Sequence, residues 1–190
     1  WREYQRVIAV IGLPPITYRQ FTREVGRTWD DIIGVLWPGI DPAEFTRNYR
    51  VDAEEALRIP GADEALKVLS GKYTLALMTS RGGKTLFPHM AEAGIDSLLF
   101  RGIYHRNNLK HNKPDPRALA QVCGELGLKT QETIYVGDSV IDAECAFDAG
   151  LGFVAVLTGG GYEDDFKAAG VYNILPSVAS LPGFLEDGYK

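Results

Sequence analysis

Two hydrophobic patterns divide the chain. Over residues 1–58 the apolar positions recur at helical spacing. Trp1, Tyr4, Ile8 and Ile11 share a face, with Arg2, Glu3, Gln5 and Arg6 between them, and the run predicts a helix ending at Gly12. Val7–Ile11 also reads as a strand, but the phase from Trp1 favours the helix. Leu13-Pro14-Pro15 is a turn, and a second helix is expected over Thr17–Val25, stopped by Gly26. Thr28 is placed to cap a third, Trp29–Leu36, with Asp30 and Asp31 in its first turn. Asp41 and Pro42 open a fourth, through Ala43–Arg50 and on toward Leu57. The expectation is a helical cap domain over residues 1–58.

Ile59-Pro60-Gly61 marks a boundary, after which short apolar runs alternate with helical stretches through residue 190. Strands are predicted at Tyr73–Met78, Leu98–Tyr104, Ile134–Val136, Gly152–Leu157 and Val171–Leu175. Helices are predicted at Ala62–Leu69, Lys84–Ala93, Asp115–Leu126, after Ser139 up to Gly150, Asp164–Ala169 and Ser177–Leu185. The expected fold class is α/β: a Rossmann-like parallel sheet with helices on both faces, plus the all-helical cap. Gly159–Gly161 reads as a flexible loop.

Composition narrows the field. In 190 residues, 45% are hydrophobic, enough for a packed core. A formal charge of -5 argues against a nucleic-acid partner, because no basic surplus exists to neutralise phosphate backbones. No apolar run approaches the roughly 20 residues that span a membrane, and no signal peptide is visible. Cys123 and Cys145 fall in predicted helices with no zinc spacing, and read as free buried thiols of a cytoplasmic protein. The chain begins at Trp1 rather than Met, as expected of a fragment or of a protein whose start lies earlier. Oligomeric state is not legible.

The candidate chemistry sits where strands are expected to end, which is where open α/β sheets bind ligands. Thr79, Ser80 and Arg81 follow the first predicted strand, and Gly82-Gly83 lets backbone N–H groups approach an anion. Taken alone, that stretch reads first as an ordinary turn and N-cap. Lys113, in Asn112-Lys113-Pro114-Asp115-Pro116, can neutralise a phosphate or a carboxylate. Asp138 ends the Ile134 strand, and Asp142, four residues on, falls in the first turn of the next helix. Two carboxylates converging there suit Mg²⁺, which takes oxygen ligands and shares them with substrate phosphate. Ser139 and Asp142 separately also read as a helix cap and a dipole partner.

In this order the motifs resemble those of the haloacid dehalogenase-like hydrolases, in particular the phosphoglycolate phosphatase-like members. Leu75–Ser80 (LALMTS) matches the second motif, Lys113–Pro116 (KPDP) the third, and Gly137–Asp142 (GDSVID) the fourth; Ile59–Leu66 resembles the return from cap to core. The resemblance implies Mg²⁺-dependent hydrolysis of a small phosphorylated metabolite through an aspartyl-phosphate. It implies that Thr79 binds the phosphoryl group with Ser80 and Arg81 beside it. It gives Lys113 the role of stabilising nucleophile and phosphate, and Asp138 and Asp142 the metal. A sugar-phosphate mutase and a metal-independent haloacid dehalogenase are sibling readings.

The first motif of the family, Asp-x-Asp ending an apolar strand ahead of the cap, has no match. Asp30, Asp31, Asp41 and Asp52 all fall in the helical region. In the family fold that strand lies between those ending at Thr79 and Asp138. Three outcomes are therefore open: a strand outside these residues, a strand from another chain, or direct pairing of the two flanking strands. The first is favoured. A non-catalytic phosphate- and metal-binding descendant, or an inactive fragment, is the rival to an enzyme.

Overall fold

A computed structural model describes residues 1–50 and 58–189. The expectation of helix continuing from Val51 to Leu57 lies outside the described residues. The chain opens with α1 (Arg2–Ile11), α2 (Tyr18–Glu24), α3 (Trp29–Leu36) and α4 (Pro42–Asn48). Their ends follow the sequence signals. Gly12 closes α1 in the left-handed conformation at φ 70°, where a side chain would be strained. Thr17, Thr28 and Asp41 accept from backbone N–H groups in the first turns of α2, α3 and α4.

These helices enclose an aromatic cluster built on Tyr4, Val7, Ile8, Ile33, Trp37 and Phe45. The Tyr4 ring meets Phe21, Trp29, Phe45 and Tyr49, with centroids 4.4 to 5.6 Å apart. Tilted pairs of this kind add about 0.5–1.5 kcal/mol each beyond their buried area. Trp37 Nε1 donates to Pro14 O at 2.9 Å, so the buried indole keeps its hydrogen bond.

The remainder alternates. α5 (Ala62–Ser70), β1 (Ala76–Thr79), α6 (Gly83–Glu92) and β2 (Gly102–His105) come first. Then follow α7 (Arg117–Leu126), β3 (Ile134–Gly137), α8 (Val140–Asp148), β4 (Gly152–Val156), α9 (Glu163–Ala168), β5 (Ile174–Leu175) and α10 (Leu181–Glu186). All strand pairs are parallel. On β4, Phe153 and Ala155 pack with Ala143, Cys145 and Ala146 of α8, while Val154 packs oppositely with Leu69 of α5 and Leu181 of α10. Helices thus cover both faces, as a parallel sheet requires.

The single expected sheet is instead two. β1 pairs with β2, and β3 with β4 and β5; β1 and β3 do not pair. Direct pairing of the strands that end at Thr79 and Asp138 is therefore not what this chain does. Between them lies a cavity of about 1100 Å³, lined by Leu75, Leu77 and Met78 on one side and Tyr135, Val136 and Asp138 on the other. Two local expectations also change. Leu98–Tyr104 is not one strand: Asp96 caps a 3₁₀ turn at Ser97–Leu99 that leaves Leu98 89% exposed, and only Gly102–His105 pairs. The strand expected at Tyr73–Met78 begins at Ala76, because Lys72 and Tyr73 turn back onto Leu69 O at the end of α5.

Candidate functional site

The site is assembled at the C-terminal ends of β1 and β3. Gly137 ends β3 with no room for a side chain, since a Cβ there would lie 2.6 Å from Asp142 Cβ. Ser139 then starts α8 as its cap. Its Oγ accepts from Asp142 N at 3.2 Å, and Asp142 Oδ2 accepts from Ser139 N at 3.2 Å and from Ser139 Oγ at 2.7 Å. This reciprocal capping box fixes the Asp142 carboxylate at the positive end of α8.

The other oxygen of Asp142 faces Lys113. Lys113 Nζ lies 2.6 Å from Asp142 Oδ1, and both side chains are almost wholly buried. The Tyr135 hydroxyl stands 3.1 Å from the same Oδ1 and 3.2 Å from Nζ. Burial opposes the lysine charge, but Tyr135 and Asp142 outweigh it, so the ammonium holds its proton well above the ordinary lysine range. Burial likewise pushes the Tyr135 phenol up, against the pull of the Lys113 charge. Asp142 therefore spends its oxygens on Ser139, Lys113 and Tyr135.

Asp138 is differently placed. Its Oδ2 accepts one long bond, 3.4 Å from Gly160 N, while its main-chain oxygen accepts from Gly161 N at 2.9 Å. Burial first, and the Asp142 charge second, raise its carboxyl above the usual carboxylate range. The Gly159–Gly161 stretch, expected to be a flexible loop, is packed around this carboxylate. A Cβ on Gly159 would sit 1.7 Å from Asp138 Oδ2, so nothing larger than glycine fits.

At the β1 end, Thr79 Oγ1 accepts from Arg81 N at 3.1 Å, leaving its hydroxyl hydrogen to donate. Gly83 N is already taken by Asn107 Oδ1 at 3.0 Å, which weakens the Gly82-Gly83 stretch as an anion cradle. The Arg81 side chain is exposed. Ser80 Oγ reaches across to donate to Gly26 O in the turn between α2 and α3. The same Gly26, at φ 114°, lies so close to α8 that a Cβ would be 2.6 Å from Ser139 Oγ. One residue of the helical region thus touches the ends of both β1 and β3.

Of the residues expected from the sequence, Thr79, Ser80, Lys113, Asp138 and Asp142 lie at the two strand ends, whereas Arg81 contributes its backbone N–H to Thr79 and leaves its side chain exposed. Sequence reasoning had not singled out Tyr135, Gly26 or Gly159. Tyr135 read only as strand filler, and the two glycines only as a helix stop and a loop. No local pattern announces a contact made across the fold.

Fit to a cation can be judged from this donor set. Among the described residues no group of three or more His, Cys, Asp or Glu gathers. Asp138, with a sparsely bonded carboxylate, fits the one- or two-carboxylate holding of Mg²⁺, in which substrate oxygens and water complete the shell.

Residues 3–156 match the family model described as haloacid dehalogenase-like hydrolase. The chain belongs to that family. Among family relatives, a phosphoglycolate phosphatase of Haemophilus influenzae (strain 86-028NP) is 34% identical over 131 residues, 68% of this chain and 53% of its own length. A relative from Cupriavidus necator, named plasmid phosphoglycolate phosphatase, is 25% identical over 193 residues, covering 95% of this chain and 83% of its own. The chain spans about half the length of the Haemophilus relative that it matches. A hydrolase from Pseudomonas syringae superposes with a TM-score of 0.82 at 18% identity, covering 100% of this chain and 91% of its own. A haloacid dehalogenase-like family hydrolase from Streptococcus pneumoniae gives 0.77 at 18%, covering 97% and 89%. These two share the fold of this chain.

Proposed function

We propose that this chain carries the phosphate-binding half of a Mg²⁺-dependent phosphatase acting on a small phosphomonoester of the phosphoglycolate kind. The observation that carries the reading is that Lys113 stands near enough for its charge to act on the Asp138 carboxyl at the end of β3, while Asp138 and Met78, next to Thr79 at the end of β1, line the open slot between the two strands. The Thr79 hydroxyl would donate to a phosphoryl oxygen, with Ser80 behind it. Lys113 would neutralise phosphate charge from a position set by Asp142. Asp138 would hold Mg²⁺ together with substrate oxygens, and Asp142 would serve the metal only indirectly, through the lysine it anchors. The bound cation would supply positive charge at the transferring phosphoryl group.

The chemistry needs a nucleophile, and the slot is where it would arrive. β1 and β3 each turn an unpaired edge toward that cavity, and both edges run in the same direction as their partners. A parallel apolar strand entering between them would pair on both sides and deliver its last residues beside Thr79 and Asp138. A carboxylate there would attack phosphorus, forming an aspartyl-phosphate as the ester P–O bond breaks and the leaving alkoxide takes a proton. Water would then cleave the acyl phosphate and return the carboxylate. The helical region, which we take as residues 1–58, would act as the cap over this site, with Gly26 as its nearest approach.

The test is hydrolysis of an aryl phosphate with Mg²⁺, by the chain alone and with an apolar strand ending in Asp-x-Asp fused ahead of Trp1. Turnover in the fused protein, abolished by chelator and by Asp138→Asn, is expected. A folded fusion that binds phosphate and Mg²⁺ without turnover would favour the second reading, a phosphate-binding descendant. The engagement of Asp142 with three neighbouring side chains supports that alternative.

A further inference from the structure

Lys113, Asp142 and Tyr135 form a closed triangle of hydrogen-bonding groups, with sides of 2.6, 3.1 and 3.2 Å. Three donors and two acceptors meet in it. Lysine has three N–H bonds on a flexible four-carbon stem, and a single carboxylate leaves it free to swivel. Two acceptors at a fixed separation do not. Asp142 Oδ1 takes one N–H and the Tyr135 oxygen a second, while the phenol donates its own hydrogen to Oδ1.

The phenol does not hold Asp142 in place. The carboxylate is already fixed by two bonds from Ser139 to its other oxygen. The effect of the hydroxyl therefore falls on the lysine. The ring that carries the hydroxyl is itself anchored. It packs on Phe153 with centroids 6.1 Å apart, and the ammonium lies 5.8 Å from its centroid, beyond the hydroxyl. A phenylalanine in this place would keep the packing and remove only the hydroxyl.

We propose that Tyr135 is a positioning residue that locks the direction of the Lys113 ammonium, so that its third N–H points to the anion the site receives. The inference rests on the phosphate reading above only for the identity of that anion. Without the second acceptor, the ammonium would rotate about its bond to Asp142 and meet an anion in a broad spread of directions. With it, the donor is oriented before the ligand arrives, and the ordering cost of binding falls.

The experiment uses the whole chain with ¹⁵N-labelled lysine and compares wild type with Tyr135→Phe. An ammonium held by two acceptors gives a slowly exchanging NH₃⁺ resonance, assigned to Lys113 by its absence in Lys113→Arg. That signal is expected in wild type and lost or broadened in Tyr135→Phe, whose unfolding midpoint changes little. Affinity for inorganic phosphate, measured by calorimetry, is expected to fall about tenfold. A folded Tyr135→Phe protein with the resonance and the phosphate affinity intact overturns the proposal. Should Tyr135→Phe not fold, the wild-type spectrum still decides: an averaged, fast-exchanging Lys113 ammonium overturns it. A wild-type protein that keeps the resonance but binds no phosphate overturns the anion site and leaves the positioning of the lysine standing.

Discussion

Arg19 and Asp165, 146 residues apart, form a two-pronged ion pair between α2 and α9. Arg19 Nη2 lies 2.8 Å from Oδ1 and Nε 3.3 Å from Oδ2, and Arg23 Nη2 reaches the same Oδ1 at 2.9 Å. The Arg19 guanidinium also sits 5.2 Å from the Tyr162 ring centroid. The two helices flank the Gly159–Gly161 stretch, whose Gly160 approaches Thr22 closely enough that a Cβ would touch it at 3.5 Å. The pair therefore pins the helical region onto the loop that wraps Asp138.

Asp165→Asn should loosen that seat while costing little global stability, roughly 0.2–1 kcal/mol for pairs with exposed arginines. Hydrogen exchange should quicken at Gly159–Gly161 and at the Val25–Arg27 turn and stay unchanged in β4. Hydrogen bonds from Arg19, and then Arg23, hold the Asp165 carboxyl below its ordinary value. Its contribution is thus present above the ordinary carboxylate pKa and fades as pH falls through the lowered one. Raised salt should mimic the substitution; uniform exchange across both regions in wild type and variant would refute the pin.

Asp142→Ala leaves the Lys113 ammonium buried without its counter-charge. Breaking a buried pair from one side costs about 3–5 kcal/mol. Urea unfolding of Asp142→Ala should show that loss, and the double variant Lys113→Met with Asp142→Ala should recover most of it. Equal losses in the single and double variants would mean that Asp142 stabilises through the capping box alone.

Asp138→Asn should do the opposite. With its carboxyl raised by burial and by Asp142, the group favours folding most when protonated. Its favourable contribution is complete below the ordinary carboxylate pKa and is lost as pH climbs through the raised value. In the absence of divalent cation, the asparagine variant should be more stable than wild type at neutral pH, by about 1 kcal/mol. It should also lose Mg²⁺ affinity. Calorimetric melts at pH 4 and pH 7, with chelator, compare the two; a variant less stable at both would contradict the burial argument.

The slot should be visible in amide exchange. Strands paired on one edge leave alternate N–H groups unbonded on the other. Fast-exchanging amides should alternate with slow ones along β1 and β3, whereas Phe153–Ala155 in the buried strand β4 should be protected. Continuous protection of β1 and β3 would mean that the slot is closed in solution.

Much of this architecture was written in local patterns. Gly12 after the apolar phase of α1, Thr28 before Trp29, and Pro42 behind Asp41 each fix a helix end through bonds within one turn. The same holds for Ser139 and Asp142, whose three-residue spacing at the start of α8 lets each side chain bond the other's backbone N–H. Leu98 misled because an apolar run looks alike whether or not a neighbour exists to pair with it; Asp96 bent the chain first.

The sequence by itself determined where the helices start and stop, which strands are apolar enough to be buried, and which polar residues follow them. Short-range hydrogen bonds and steric limits on the backbone decide those features, and both act within a few residues. Tertiary structure alone decided that β1 and β3 stand apart across a cavity, that Tyr135 completes the Lys113–Asp142 pair, and that Gly159 and Gly26 must lack side chains. These depend on distances between segments far apart in the chain. Burial sharpens each of them, because a charge or a backbone edge removed from water must find its partner within a hydrogen bond's reach.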